Sequence, residues 1–143
     1  MVATLALFLP WTVLSAQDQI VEEALRELPA SDVARDAWTT GFLAWCGPLL
    51  LLLAGLVVAA FGQFRKVRIA GLPHLWLIFA AVSVVLMVLG WFAIGWQFDE
   101  ETRGLLADGG VGLYAGIGRY LGILAGVASL VAAVLDVRTL RRR

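Results

Sequence analysis

Two long uncharged segments constrain this chain more than any other feature. Residues 37–64 and 69–98 contain no Asp, Glu, Lys or Arg, and the short run between them, Phe64–Arg68, contains three cations. A helix of about 20 apolar residues crosses the hydrocarbon core of a bilayer, and both segments exceed that length. Hydrophobic residues make up 61% of the chain and charged residues only 15%, against roughly 25% charged in soluble domains. The chain is therefore expected to be a membrane protein.

The hydropathy pattern predicts an all-α integral membrane protein, a four-transmembrane-helix bundle with an outer amphipathic helix. Residues 1–143 are expected to form a single membrane domain, with spans at about 2–16, 38–63, 73–97 and 112–135. The first span is short, because the whole apolar segment 1–16, at about 1.5 Å per residue, covers roughly 24 Å of a core about 30 Å thick. A cleaved signal peptide is the alternative to a retained helix, and the true start codon could lie upstream.

The basic residues predict the orientation. Arg65, Lys66 and Arg68 form one cluster, and the four Arg of the C-terminal tail from Asp136 to Arg143 form another, two crossings later. Cytoplasmic loops carry an excess of Lys and Arg, so both clusters and both termini are expected in the cytoplasm. The acid-rich stretches 17–40 and 98–111 then face the opposite side, called the outer side here.

Residues 18–28 predict the amphipathic helix. Apolar residues recur at helical spacing from Ile20 to Leu28, Asp18 can cap the amino end, and Pro29 ends the segment. This helix is expected either to lie on the outer membrane surface or to present a docking face to a partner.

Small residues recur along the last span. Gly118, Gly122 and Gly126 follow one another at four-residue spacing, and Gly112 and Gly116 form a similar pair. Such rows let a second helix backbone approach closely. The groove could be filled from within the chain or by another protein.

Arg119 lies in the same span, beside Tyr120, and is expected roughly 10 Å inside the helix end if the span begins at Gly112. A charge at that depth is costly and marks a candidate functional residue. Three alternatives stay open: snorkelling to the outer headgroups, an ion pair with an outer acid such as Asp108, or a bound anionic group such as a lipid phosphate or a partner's carboxylate.

The tryptophans are concentrated on one side under this topology. Five of the six fall toward the outer interface, namely Trp11, Trp38, Trp45, Trp91 and Trp96. Aromatic belts explain part of that distribution. Together with the glycine row, they give the candidate partner or lipid contacts: Arg119, Tyr120, Gly118, Gly122, Gly126, Trp45, Trp91 and Trp96.

Catalysis is not expected, because the predicted spans contain no Asp or Glu and the chain has one Cys and one His, Cys46 and His74. The same scarcity argues against a haem held by two His of this chain, and no cofactor, metal or nucleic-acid site is predicted. The leading hypothesis is a non-catalytic accessory or scaffold subunit that contacts the bilayer and a membrane protein partner or a second copy. The alternatives are a small transporter or oligomeric pore component, and a lipid-binding membrane protein.

Phe8-Leu9-Pro10-Trp11 near the end of the first span, a polar outer loop and a glycine-rich last helix entered through Gly112-Leu113-Tyr114 together carry a resemblance. The whole chain resembles small four-helix membrane proteins of bacteria with high-GC genomes, and its topology is similar to that of claudin-like tetraspan proteins. The paired Cys and the Trp-Gly-Leu-Trp pattern of claudins are missing, so their junction function does not carry over. The resemblance implies a multi-pass protein of the bacterial plasma (inner) membrane and no particular activity.

Overall fold

The computed structural model describes residues 2–93 and 98–141 and is mostly helical, at 76%. In chain order the elements are α1 (Val2–Phe8), β1 (Thr12–Ala16), α2 (Gln19–Glu27), α3 (Ala30–Val33), β2 (Ala34–Arg35), α4 (Ala37–Thr40), α5 (Phe42–Phe61), α6 (Arg65–Ile69), α7 (Leu72–Phe92), α8 (Glu100–Asp108), β3 (Val111–Ala115) and α9 (Ile117–Arg141). The predicted helical class is thus observed, together with a small sheet that the sequence did not predict.

Three helices are long and apolar enough to cross a membrane. They are Phe42–Phe61, Leu72–Phe92 and Ile117–Thr139, with mean hydropathies of 2.4, 2.5 and 2.1. Each leaves most of its surface unburied within the chain. These helices are compatible with a multi-pass membrane protein.

The predicted first span differs from the structure. Its helix stops at Phe8, and Thr12–Ala16 form a strand instead of a second helical half. Pro10 lacks an N–H and disfavours helical geometry at the residue before it, and the β-branched Thr12 and Val13 favour extended backbone. The prediction of a continuous helix over residues 2–16 is therefore wrong beyond Phe8.

Strand β1 is the central strand of a three-stranded antiparallel sheet with the order β2-β1-β3. Val13 lies opposite Ala34 on one side and opposite Tyr114 on the other. This pairing converts residues 111–115, which were predicted to open the last span, into a strand. The last helix consequently begins at Ile117 rather than at Gly112.

The second span also begins later than predicted, at Phe42 instead of Trp38. Residues 37–40 form the separate turn α4, in which Asp36 accepts a hydrogen bond from the Thr39 backbone N–H at 2.9 Å. Gly41 follows with φ of +135°, a conformation that glycine adopts readily, and this breaks the helix before α5.

Helix α7 packs between α5 and α9, and α1 lies against α5 and α9. Small residues allow close approach of α5 and α7. A Cβ at Gly47 would lie 2.8 Å from Met87 Cγ, and one at Gly90 would lie 3.2 Å from the Leu43 carbonyl oxygen. The buried core has Trp11 and Met87 as its largest members, surrounded by alanine and leucine.

The sheet lies at the end of the bundle where α5 begins, α7 ends and α9 begins, which we call the sheet end. Helix α6, which contains the first basic cluster (Arg65, Lys66 and Arg68), connects α5 to α7 at the opposite end. Helix α2 packs against β1 and α8 against β3, so both acid-rich stretches gather at the sheet end.

A helix is present where the amphipathic pattern predicted one. Asp18 caps α2 by accepting a hydrogen bond from the Ile20 N–H at 2.9 Å, and the helix ends before Pro29. Leu25 is its one buried residue, and the Glu22 carboxylate accepts a hydrogen bond from the Ala16 N–H at 3.1 Å. These two contacts hold α2 against the end of β1.

Candidate functional site

Arg119 is the most unusual residue of the sheet end, because its side chain is only 2% exposed. It is in the first turn of α9. Its Nε donates to the Trp11 carbonyl oxygen at 2.7 Å, Nη1 donates to the Gly90 carbonyl oxygen at 2.7 Å, and Nη2 donates to the Thr12 hydroxyl at a longer 3.4 Å. Arg119 therefore links the start of α9 to the end of α7 and to the connection between α1 and β1.

Two of the three alternatives for Arg119 are corrected by this geometry. A buried guanidinium does not snorkel toward headgroups, and the position near the start of α9 places it less deep along the helix than predicted. Its acceptors are neutral oxygens, and within the described residues no carboxylate, Asp108 included, is among its contacts. The sequence reasoning missed these partners because all of them are distant in the chain.

Two features of the surroundings stabilise the cation without a carboxylate. The Gly90 carbonyl belongs to the last four of α7, which lie at the negative end of that helix dipole. The Arg119 guanidinium carbon is also 5.8 Å from the centroid of the Trp11 ring, within the range of a cation–π interaction. Trp11 is itself fixed, because its indole N–H donates to the Ala6 carbonyl oxygen.

The glycine row faces this tryptophan. A Cβ at Gly118 would lie 2.6 Å from Trp11 Cδ1, and one at Gly122 would lie 3.2 Å from Trp11 Cζ2. Farther along, a Cβ at Gly126 would lie 2.9 Å from Val84 Cγ2. Of the two alternatives for the groove, the structure shows the one in which the chain fills it from within.

A cavity of about 210 Å³ adjoins Arg119. It lies between the start of α5 and the end of α7 and is lined by Thr40, Gly41, Leu43, Gly90 and Ala93, among others. Its walls are largely apolar, and Arg119 is the charged residue among those that line it.

Four aromatic rings form a continuous group beside the sheet end, which we call the aromatic cluster. Phe8 and Trp38 have centroids 6.5 Å apart, Trp38 stacks on Trp45 at 5.7 Å, and Phe42 meets the edge of Trp45 at 5.1 Å. Phe8 and Phe42 are 68% and 61% exposed. Of these four residues, only Trp45 was predicted from the sequence to be a candidate contact. The group is recognised by its ring contacts and by the exposure of Phe8 and Phe42, which only the structure shows.

The other predicted aromatic contacts lie elsewhere. Trp91 and Tyr120 make an edge-to-face pair with centroids 5.1 Å apart, joining α7 to α9. Tyr120 is exposed, whereas its neighbour Arg119 is buried. Trp96 lies outside the described residues.

Most acidic residues of the sheet end are exposed, whereas Glu22 and Asp36 are half-buried. Asp99 precedes α8, and a hydrogen bond from the Thr102 side chain lowers the pKa of its carboxyl below the ordinary value, with a smaller contribution from the charge of Arg103. Across residues 2–93 and 98–141, no group of three His, Cys, Asp or Glu could hold a metal ion. His74 is exposed and Cys46 is partly rather than fully buried.

Scans against protein-family models, curated proteins and solved structures gave no match. The resemblance to claudin-like tetraspan proteins stays a prediction.

Proposed function

We propose that this chain is a non-catalytic accessory or scaffold subunit of a larger complex in the bacterial plasma membrane. In this proposal the sheet end faces outward, and helix α6 and the C-terminal end of α9 face the cytoplasm. Helix α1 packs beside the long helices, but its seven residues cover only about 10 Å and do not cross the bilayer. The observation that carries the proposal is the aromatic cluster, which projects from α1, α4 and α5 beside the sheet.

The arrangement of the cluster supports a protein partner. Interfacial aromatic belts distribute Trp and Tyr around a protein at headgroup level. Here four rings touch one another and form one continuous apolar surface. Such contiguous patches mark interaction sites, and large aromatic anchors contribute most of the binding energy in many interfaces.

A polar rim next to the rings further supports this interpretation. A depression of about 320 Å³ begins at Phe8 and is bordered by Ser31, Asp36 and Thr39. An apolar centre with a polar edge is the usual anatomy of a protein interface. The depression could receive one side chain of the partner while the rings pack against its helix.

The proposed partner surface is the aromatic cluster and not the glycine row that the sequence suggested. Gly118, Gly122 and Gly126 are buried against Trp11, Met87 and Val84, so their proposed role is to hold this chain together. The partner contact is therefore assigned to the aromatic cluster, with Trp45 as the shared residue of the two proposals.

Co-purification tests the proposal. The tagged full-length chain, extracted from its native membrane in mild detergent, should elute with a stoichiometric partner or as a defined homo-oligomer. Trp38→Ala and Phe8→Ala should reduce the bound partner at least tenfold. The control is Phe92→Ala, because Phe92 is 81% exposed, lies at the same end of the bundle and is outside the aromatic cluster.

Two results would contradict the proposal. One is elution of the wild-type chain as a lone monomer, with mass photometry showing no second species. The other is equal partner loss in Phe92→Ala and Trp38→Ala, which would assign the aromatics to a general interfacial role.

A further inference from the structure

We propose that the cavity beside Arg119 is a binding site for the phosphate group of an anionic lipid headgroup. The argument begins with charge. Arg119 is a buried cation, and its contacts within the described residues are two carbonyl oxygens, one hydroxyl and one ring face. Buried charges are ordinarily paired, because an uncompensated ion loses its hydration.

The guanidinium keeps hydrogen-bonding capacity that the described residues do not use, and the area that it offers to a ligand is small, because Arg119 is 2% exposed with the cavity empty. Each of its three nitrogens makes one hydrogen bond to the protein, and both Nη1 and Nη2 carry a second N–H. The planar fork of Arg suits a phosphate or carboxylate that accepts two parallel hydrogen bonds. Since Arg119 lines the cavity, an oxyanion there would supply the missing counter-charge.

The start of α5 contributes to the same cavity. Gly41 precedes this 20-residue helix without a side-chain cap, and Gly41, Leu43 and Ala44 line the cavity. The Ala44 N–H already donates to the Gly41 carbonyl oxygen at 3.0 Å, so the start of α5 contributes chiefly the positive end of the helix dipole, which favours an anion. The Gly90 carbonyl oxygen at the end of α7 opposes an anion, but it already accepts a hydrogen bond from Arg119 Nη1, and this bond weakens its repulsion of an anion.

The size and the walls of the cavity favour an ester-linked phosphate. Its volume of about 210 Å³ far exceeds the roughly 30 Å³ share of one water in the liquid, so an oxyanion of several heavy atoms fits. The apolar walls next to Leu43 and Ala93 suit the glycerol and upper acyl carbons of a lipid. The cavity is also at the level where three long helices begin or end, which is where headgroups lie when such helices span a bilayer.

The test uses delipidated full-length protein in a neutral detergent, with thermal unfolding followed by tryptophan fluorescence. A ligand that binds only the folded state raises the unfolding midpoint in proportion to ln(1 + [L]/Kd). Phosphatidylglycerol should stabilise the wild-type chain, and diacylglycerol, which lacks phosphate, should not. Inorganic phosphate is the arm that separates free anion from lipid: competition with phosphatidylglycerol supports a shared phosphate site, and stabilisation by phosphate alone identifies free phosphate as the source.

A variant that fills the cavity distinguishes loss of ligand binding from loss of folding. Ala93→Leu places extra carbons in the cavity while leaving the Arg119 side chain intact, and it should weaken phosphatidylglycerol binding at least tenfold. Ala107→Leu, on the exposed surface of α8, is the matched control and should bind as wild type. Arg119→Lys, if it folds, should also bind more weakly, because an ammonium cannot form the bidentate contact.

Wild-type affinity in Ala93→Leu, equal stabilisation by diacylglycerol, or no stabilisation by any phosphate compound would overturn the assignment. Phe42 lines the cavity and also belongs to the aromatic cluster, so a Phe42 variant does not separate the lipid site from the scaffold function. Trp38 does not line the cavity, and Trp38→Ala should lose the partner and keep phosphatidylglycerol binding.

Discussion

Substituting the glycines that face Trp11 should destabilise the chain in a graded order. At Gly118, an Ala Cβ would lie 2.6 Å from Trp11 Cδ1 and 2.9 Å from the Leu9 carbonyl oxygen. Both atoms belong to fixed groups, a buried ring and a backbone carbonyl, so neither can move aside cheaply. Overpacking of a core costs about 1–3 kcal/mol, and we expect Gly118→Ala in the upper half of that range.

Alanine at Gly116 should destabilise the chain more than Gly118→Ala does, and alanine at Gly122 should destabilise it less. At Gly116 the added Cβ would lie 2.2 Å from the Pro10 carbonyl oxygen, and the Gly116 N–H also donates to the Trp11 carbonyl oxygen at 3.0 Å, so Gly116→Ala should cost about 3 kcal/mol or more. At Gly122 the nearest atoms are at 3.2 Å and 3.3 Å, so Gly122→Ala should cost about 1 kcal/mol.

Gly55 in α5 is the matched control, because no atom lies within 4 Å of a Cβ added there. Gly55→Ala should be neutral or stabilise by about 0.5–1 kcal/mol, the usual gain from replacing a glycine inside a helix. The free energy of unfolding would be measured by titrating dodecyl maltoside micelles with dodecyl sulfate and following helical circular dichroism.

A flat series, in which Gly116→Ala and Gly118→Ala match Gly55→Ala, would refute the packing of α9 against Trp11. It would also return the glycine row to the partner hypothesis. If the predicted order holds, a large residue at Gly122 disrupts the contact with Trp11 and Met87 within the chain, so loss of a partner in such a variant would not identify an interface.

Three further predictions concern Arg119, the membrane topology and Asp99. Arg119→Met should lower the free energy of unfolding by about 2–4 kcal/mol, because two buried carbonyls lose a charged donor, and the same detergent titration should show Arg119→Lys recovering less than half of the loss. In a background without the native cysteine, Cys introduced at Lys66 and at Gly104 should react with a membrane-impermeant maleimide from opposite sides of the membrane; labelling of both from one side contradicts the proposed topology. The pKa of the Asp99 carboxyl is lowered mainly by its hydrogen bond from Thr102, so its stabilisation of α8 should be complete above the unfolded-state pKa and disappear as the pH falls through the lower folded-state pKa. Carboxyl-carbon NMR should show the titration of Asp99, and Asp99→Asn should remove this contribution to the pH dependence of α8 stability.

Local sequence determined the long helices and several of their ends. Hydropathy over about 20 residues is a property of consecutive side chains, so α5 and α7 appeared close to their observed positions. The Asp18 cap and the stop before Pro29 are likewise short-range effects, and α2 follows the prediction. Arg119 was also identified from the sequence alone, because a charge within an apolar helix is unusual whatever surrounds it.

Tertiary structure decided what the apolar residues 12–16 form and what Arg119 contacts. The residues Thr12–Ala16 have no charge to distinguish them from a membrane helix. Their pairing with Val111–Ala115 satisfies backbone hydrogen bonds between segments that are about 100 residues apart in the chain. The same pairing places Trp11 against Gly118 and Gly122, and the Trp11 carbonyl oxygen accepts a hydrogen bond from Arg119, which is 108 residues away in the chain. Periodicity and composition describe neighbours in sequence, whereas the acceptors of a buried donor are chosen by packing between distant segments.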